Sequence, residues 1–213
     1  MAGKKSAWSE ERTIVNQETL TTTRNKKWLL IFAILGGLVL CMTVCFQLLL
    51  KRCILWTCAP QRSFSIIDLS IPSGFFPEGA TVGQMGYKHE NEGALTSSSM
   101  NANWEKGMGV AGYAIWQFGS SQSVDPFWKR LIYTAREFDD CLKVKYRSPY
   151  ADKFAVRCGI IKYSGGYSAG LYAQYGEFAV GFGTIIDDQM SLEDFEKIII
   201  YIDEDFASRL NLK

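Results

Sequence analysis

The chain has 213 residues, with 23 Lys or Arg against 22 Asp or Glu, one histidine and six cysteines. The near-neutral total hides two opposite parts: residues 1–62 hold nine basic and three acidic residues, a net +6, and residues 63–213 hold 14 and 19, a net −5. An acidic globular part has no basic excess to neutralise phosphates, which argues against nucleic acid as a partner, and a single histidine leaves little for a catalytic triad or a histidine-rich metal site.

Residues 1–27 are polar, Thr-rich and without apolar periodicity, so they read as a disordered tail, too short for a kinase, receiver or DNA-binding module. Residues 28–50 are 23 consecutive uncharged, mostly apolar residues. At about 1.5 Å per helical residue they reach roughly 34 Å, enough to cross a hydrocarbon core of about 30 Å with some tilt. A cleavable signal has an apolar stretch of about 7 to 15 residues and then a small-residue cleavage site. This one is longer and runs into Lys51 and Arg52, so the expectation is a retained transmembrane anchor in contact with the lipid bilayer. Trp28 and Trp56 flank it as interfacial indoles, and Ala33 and Gly37 form a small-x-x-x-small pair on which another membrane helix packs closely.

Basic residues balance immediately around the span, Arg24, Lys26 and Lys27 against Lys51, Arg52 and Arg62. Over the whole tail Lys4, Lys5 and Arg12 tip the count, which places the N-terminus in the cytoplasm and residues 63–213 outside, after a juxtamembrane connector of residues 51–62. Cys41 and Cys45 share one face of the span as small apolar filler, and Cys53 and Cys58 lie in the connector. Cys141 and Cys158 are the pair within the folded part, and an oxidising compartment would join them, adding about 3 kcal/mol by loop closure. On a cytoplasmic placement that bridge disappears, and Cys53 and Cys58 become acylation candidates.

In the folded part, residues 64–69 read as a first strand, broken by Pro72, Gly74, Pro77 and Gly79, and about 25 residues of loop follow. Residues 110–118, with Val110, Tyr113, Ile115, Trp116 and Phe118, read as a second strand. Asp125 and Pro126 are an N-cap and N1 pair, and Phe127, Leu131, Ala135, Phe138 and Leu142 recur at helical spacing, predicting an amphipathic helix that ends before Pro149. Residues 154–163, 168–175 and 178–186 read as an antiparallel meander turned at Gly165-Gly166 and Gly176-Glu177. In its last strand Phe178, Val180, Phe182 and Ile186 share one face, while Ala179, Gly181 and Gly183 leave the other open to a packed helix or, alternatively, a ligand groove. Ser191 with Asp194 makes a variant capping box, Met190 can staple Phe195, and Ile198, Ile199, Ile202, Phe206 and Leu210 continue the buried stripe of a final helix. The order ββαβββα predicts an α+β fold, an antiparallel sheet of about five strands packed with two helices behind a single transmembrane helix.

Chemical motifs are sparse. Gly107, Gly109 and Gly112 match G-x-G-x-x-G, but the dinucleotide fingerprint follows a strand and opens a helix, whereas here a loop precedes and a strand follows, so no cofactor is expected. His89 beside Glu90 and Glu92 is the one histidine on which a hydrolase or a weak cation site would depend. The carboxylate runs Asp139-Asp140, Asp187-Asp188 and Asp203-Glu204-Asp205 read as solvated charge on helix ends and a turn, without calcium-loop spacing. No catalytic or metal residue is assigned. Phe75, Phe76 and Trp104 have no periodicity to bury them and are the expected partner-contact residues.

Residues 169–182, the capped segment Met190 to Phe195 and the run Ile202-Asp203-Glu204 resemble a group of uncharacterised bacterial envelope proteins, and residues 69–79 resemble their Pro/Gly loop. The resemblance covers roughly residues 63–210; it implies an envelope location and carries no activity. Sequence alone therefore leads to a non-enzymatic, membrane-anchored accessory protein that binds another membrane or envelope protein. A small-molecule-binding sensory ectodomain is the alternative, and a hydrolase acting through His89 the third reading.

Overall fold

The computed structural model describes residues 28–46, 58–88, 93–104, 109–162 and 165–212. The chain divides into two compact units, Met1–Leu49 and Leu50–Lys213. In the first, a helix α1 spans Trp28–Phe46, 19 residues long and apolar enough to cross a membrane. Its rise of about 28 Å matches a bilayer core. Residues 47–50 of the expected span lie outside the described residues. Leu29, Phe32, Leu38, Val39 and Met42 are all exposed, as a lipid-facing helix requires. Thr43 satisfies its hydroxyl by donating to the Val39 carbonyl at 2.8 Å. Neither Gly36 nor Gly37 has a neighbour within 4 Å of where a Cβ would stand, and Cys41 and Cys45 are free thiols.

The second unit is α+β, built on one eight-stranded antiparallel sheet. Its strands are β1 (Thr81–Val82), β2 (Gly86–Lys88), β3 (Thr96–Trp104), β4 (Gly109–Gln117), β5 (Asp139–Asp140), β6 (Lys153–Ile160), β7 (Tyr167–Tyr175) and β8 (Phe178–Ile186). They lie in the order β1-β3-β4-β8-β7-β6-β5, with β2 also pairing on β3. The β3–β4 hairpin is formed first in the chain, and the β5–β8 meander returns to it by pairing β8 on β4, from Ala111 opposite Thr184 to Gln117 opposite Phe178. Helices α2 (Val124–Thr134) and α3 (Leu192–Leu210) complete the unit.

Register sorts the side chains. One cross-strand row, Met100, Tyr113, Phe182, Leu171 and Val156, faces the core with all five residues buried. Against that face α3 lays Phe195, Ile198, Ile199, Ile202 and Phe206, each at most 1% exposed. The Phe206 ring stacks on Tyr175 at 4.5 Å and the Phe195 ring on Phe182 at 5.7 Å. The start of α3 is as the sequence predicts: the Ser191 hydroxyl accepts from the Asp194 N–H at 3.1 Å, and the Asp194 carboxylate accepts from the Ser191 N–H at 3.3 Å. Asn211, with φ of 54°, ends it in the left-handed region.

Four expectations need correction. Residues 64–69 form no strand: Ile66–Asp68 is a 3-10 turn, boxed by Ser65 and Asp68, that drops Ile66 and Leu69 into the core. The long loop expected after residue 79 holds β1, β2 and β3 instead, because the Ser- and Asn-rich segment of β3 buries alternate residues beside β4. With the strand at 64–69 lost and β5 gained as well, the strand count goes from about five to eight. The middle helix stops at Thr134, after which Ala135–Glu137 tightens to a 3-10 turn and Asp139–Asp140 pairs with β6. Phe138 and Leu142 therefore leave the helical stripe: Phe138 packs over Gly159, and Leu142 is 86% exposed. A disulfide joins Cys141 to Cys158, holding this segment on β6 where a continued helix could not pair. Finally, Asp125 and Pro126 fall inside the first turn of α2, whose N-cap is Ser123.

Candidate functional site

The face of the sheet turned away from α3 carries the candidate site. Helix α2 covers only one end of it: Phe127 packs on Trp116 at 4.8 Å and on Phe118 at 5.4 Å, above Ala179. The packed helix expected on the small face of β8 is thus present, but it stops at the first of the three small residues. Beyond it, register aligns Asn101, Gly112, Gly183, Gly170, Arg157 and Asp140 in one row across six strands.

Three glycines in adjacent strands are costly, since a strand glycine loses backbone entropy and packs nothing. Elsewhere in the sheet a glycine has a steric reason. A Cβ at Gly109 would stand 1.9 Å from Trp104 Nε1, and one at Gly159 would stand 2.6 Å from Phe138 Cδ1, so those positions yield space to an aromatic ring. At Gly183 the nearest atom is the Ala169 carbonyl oxygen at 3.9 Å, and at Gly112 it is Asn101 Oδ1 at 3.5 Å. Neither has a positive φ. Nothing in the fold requires these two to be glycine, and what they leave is a bare floor.

Of the two, Gly183 lines a groove of about 350 Å³ walled by Val110, Phe138, Ile161, Tyr172 and Ile185, with Arg157 at one end. Arg157 is the charged residue of the lining among the described residues. Its Nη1 donates to Asp140 Oδ1 at 2.9 Å, and its Nε is buried with no acceptor. An unanswered buried donor costs about 1–3 kcal/mol. Burial pushes the Tyr172 hydroxyl above its ordinary pKa, against the opposing pull of the Arg157 charge, so the phenol stays protonated and able to donate.

A second polar cluster lies within the α3 side of the core. Asp203 is completely buried and accepts from the hydroxyls of Tyr146 at 2.7 Å, Tyr175 at 2.7 Å and Ser148 at 2.5 Å. One turn pair earlier, Glu196 accepts from the Lys145 and Tyr146 N–H groups at 2.9 and 2.6 Å. These carboxylates fasten residues 144–151 to α3. Burial first, and the Asp203 charge with it, raises the pKa of both Tyr146 and Tyr175. With every hydroxyl engaged and the carboxylate closed to solvent, the cluster is structural.

The sequence-expected residues are placed as follows. Trp104 is 3% and Phe76 8% exposed, and Phe75 packs its ring on Tyr201 at 4.8 Å, so none of them offers an exposed aromatic surface. Trp104 also donates its indole N–H to Asp187 at 2.9 Å. Asp203, read from the sequence as solvated, is the least exposed carboxylate of its run because α3 turns it inward with Ile202 and Phe206. Asp139 and Asp140 lie on an edge strand, not at a helix end. His89 and Gly107 lie outside the described residues, and Gly109 opens strand β4. Ala33 and Gly37 stand exposed on α1. Arg157 was missed by sequence reasoning. The one available signal was glycine at alternate positions of one strand, Gly181 and Gly183, with Gly170 in the strand before.

The juxtamembrane segment also departs from a bare connector. Arg62 donates from Nε and Nη2 to the two carboxylate oxygens of Glu177 at 2.6 and 2.8 Å, and Glu177 is 3% exposed. The Ala59 N–H donates to the Gly119 carbonyl at 2.7 Å, Phe64 stacks on Phe178 at 5.9 Å, and Cys58 is disulfide-bonded. From residue 58 onward the chain is part of the domain.

No protein family, curated protein or solved structure matches the chain.

Proposed function

We propose that the chain is a non-enzymatic, single-pass membrane-anchored accessory protein whose domain lies on the extracytoplasmic side and binds through the glycine-floored face of its sheet. The observation that carries this is the pair Gly112 and Gly183, opposite each other on β4 and β8, where neither packing nor backbone strain asks for glycine. The outside location is supported by the disulfides at Cys58 and at Cys141–Cys158 and by the basic N-terminal tail. The intended occupant is another protein of the same membrane or envelope.

A photo-crosslinking residue at Asn101, beside the floor, tests this in intact cells against the same residue at Ser208 on the exposed side of α3. A discrete adduct from Asn101 and none from Ser208 is expected. Equal labelling from both positions, or none from either, ends the proposal. A second reading, the small-molecule sensory ectodomain, is favoured by one specific feature, the walled groove with a single cation at its end.

A further inference from the structure

We propose that the groove over Gly183 is a site for a small apolar carboxylic acid, its carboxylate on the Arg157 guanidinium and the Tyr172 hydroxyl and its apolar body against the bare backbone at Gly183. This rests on the second reading above, the small-molecule ectodomain, and names the class of ligand its groove takes.

Charge selects an anion. Arg157 is the charged lining residue among the described residues, and a guanidinium presents five N–H donors in a planar fork. Asp140 accepts from Nη1 only and is itself 73% exposed, outside the lining, while Nε has no acceptor. A carboxylate is the planar acceptor that matches a guanidinium's charge, and it meets Arg157 through the terminal nitrogens, Nε being closed off. One guanidinium in an apolar hollow favours a monoanion over a phosphate dianion, whose second charge would be desolvated without a partner.

Shape selects the rest of the ligand. The hollow of about 350 Å³ lies at the small end of ligand pockets, which run from about 300 to 1,000 Å³. Val110, Ile161, Ile185 and the Phe138 ring offer no charge and little polarity, which suits a ring or a short branched chain. The missing Cβ at Gly183, where the nearest atom is 3.9 Å away, lets such a body lie against the backbone itself, as glycines in strands do where a ligand approaches closely, while the space over Gly170 is taken by the Tyr172 ring and hydroxyl.

The test uses the full chain in nanodiscs, titrated with 3-phenylpropionate, indole-3-acetate and 4-methylpentanoate, and with 3-phenylpropionamide as the uncharged counterpart. Calorimetry reads the affinity, and circular dichroism with a melting curve reads the fold of each variant. Saturable binding of at least one acid is expected, about tenfold or more tighter than the amide. Arg157→Met then loses that margin and leaves amide binding unchanged. Gly183→Leu fills the floor and removes binding of both, with Gly183→Ala as the milder variant should the leucine disturb the fold. No saturable binding of any acid, equal affinity for acid and amide, or an unaltered Arg157→Met overturns the assignment. Tighter binding of a peptide ending in Phe than of the free acids, lost on amidation, overturns it in favour of a polypeptide terminus. Asn101 adducts that persist while no acid binds overturn this site and leave the binding-face reading standing.

Discussion

Asp203 is closed to solvent and is answered by three hydroxyls instead, Tyr146 and Ser148 from the loop of residues 144–151 and Tyr175 from β7. Deleting the carboxylate leaves those donors facing a void. Asp203→Ala is therefore expected to lose about 3 kcal/mol or more of unfolding free energy, read by urea denaturation, with the proteolytic sensitivity of residues 144–151 rising in parallel. Arg62 and Glu177 make the complementary case. Glu177 is 3% exposed and its carboxylate is held by Arg62, from the segment ahead of the first 3-10 turn. Arg62→Met strands a buried charge and should cost about 3–5 kcal/mol in the same assay. A loss below about 1 kcal/mol would mean that water reaches Glu177 after all.

Among the secondary elements, α3 shows most directly how local sequence sets local structure. Its capping box fixes the first turn, and the Asp194 carboxyl is held below its ordinary pKa, first by the Ser191 hydroxyl and then by Lys197. A folded-state pKa below the unfolded one, about 3.9, means that this contribution is complete above that pH and is lost as pH falls through the lower value. Ser191→Ala should cost about 1 kcal/mol at neutral pH, and the difference from the parent should shrink as the solution is acidified through pH about 4 and below. Denaturation curves of both chains at several pH values check it. The middle helix behaved otherwise. Phe138 and Leu142 kept helical spacing in sequence, yet Ala135–Glu137 tightened and the chain passed into an edge strand. Periodicity cannot register that a glycine on β6, Gly159, has vacated the space into which Phe138 packs.

Across the molecule, burial raises the pKa of the phenols of Tyr113 and Tyr175, and of Tyr146 with Asp203 adding to it. For groups neutral when protonated, a raised folded-state pKa stabilises the fold fully below the unfolded value near 10, and that contribution fades as pH rises beyond it. Unfolding free energy should accordingly decline from about pH 10 upward, with tyrosinate absorbance appearing together with loss of structure rather than before it. Reduction of the Cys141–Cys158 bridge, which closes a separation of 17 residues, should remove about 3 kcal/mol. A membrane-impermeant thiol reagent applied to intact cells before and after reduction reads the compartment as well: labelling of both cysteines only after reduction is expected of an outward-facing domain.

The sequence by itself determined the features whose physics is local. An uninterrupted apolar run makes α1, a Ser–Asp box and a stripe of isoleucines make α3, and alternation with Gly-bearing turns makes β6, β7 and β8. Tertiary structure alone decided what depends on partners distant in the chain. It buried Phe76, Trp104 and Asp203, recruited the polar segment of β3 to the sheet, and brought Gly112, Gly170 and Gly183 from three strands into one row ending at Arg157. Cross-strand register is set by pairing over 13 to 73 residues of separation in cases such as Gly170 with Gly183 and Ala111 with Thr184. A glycine carries no side chain to announce its neighbours, so the floor became visible only when the strands were laid side by side.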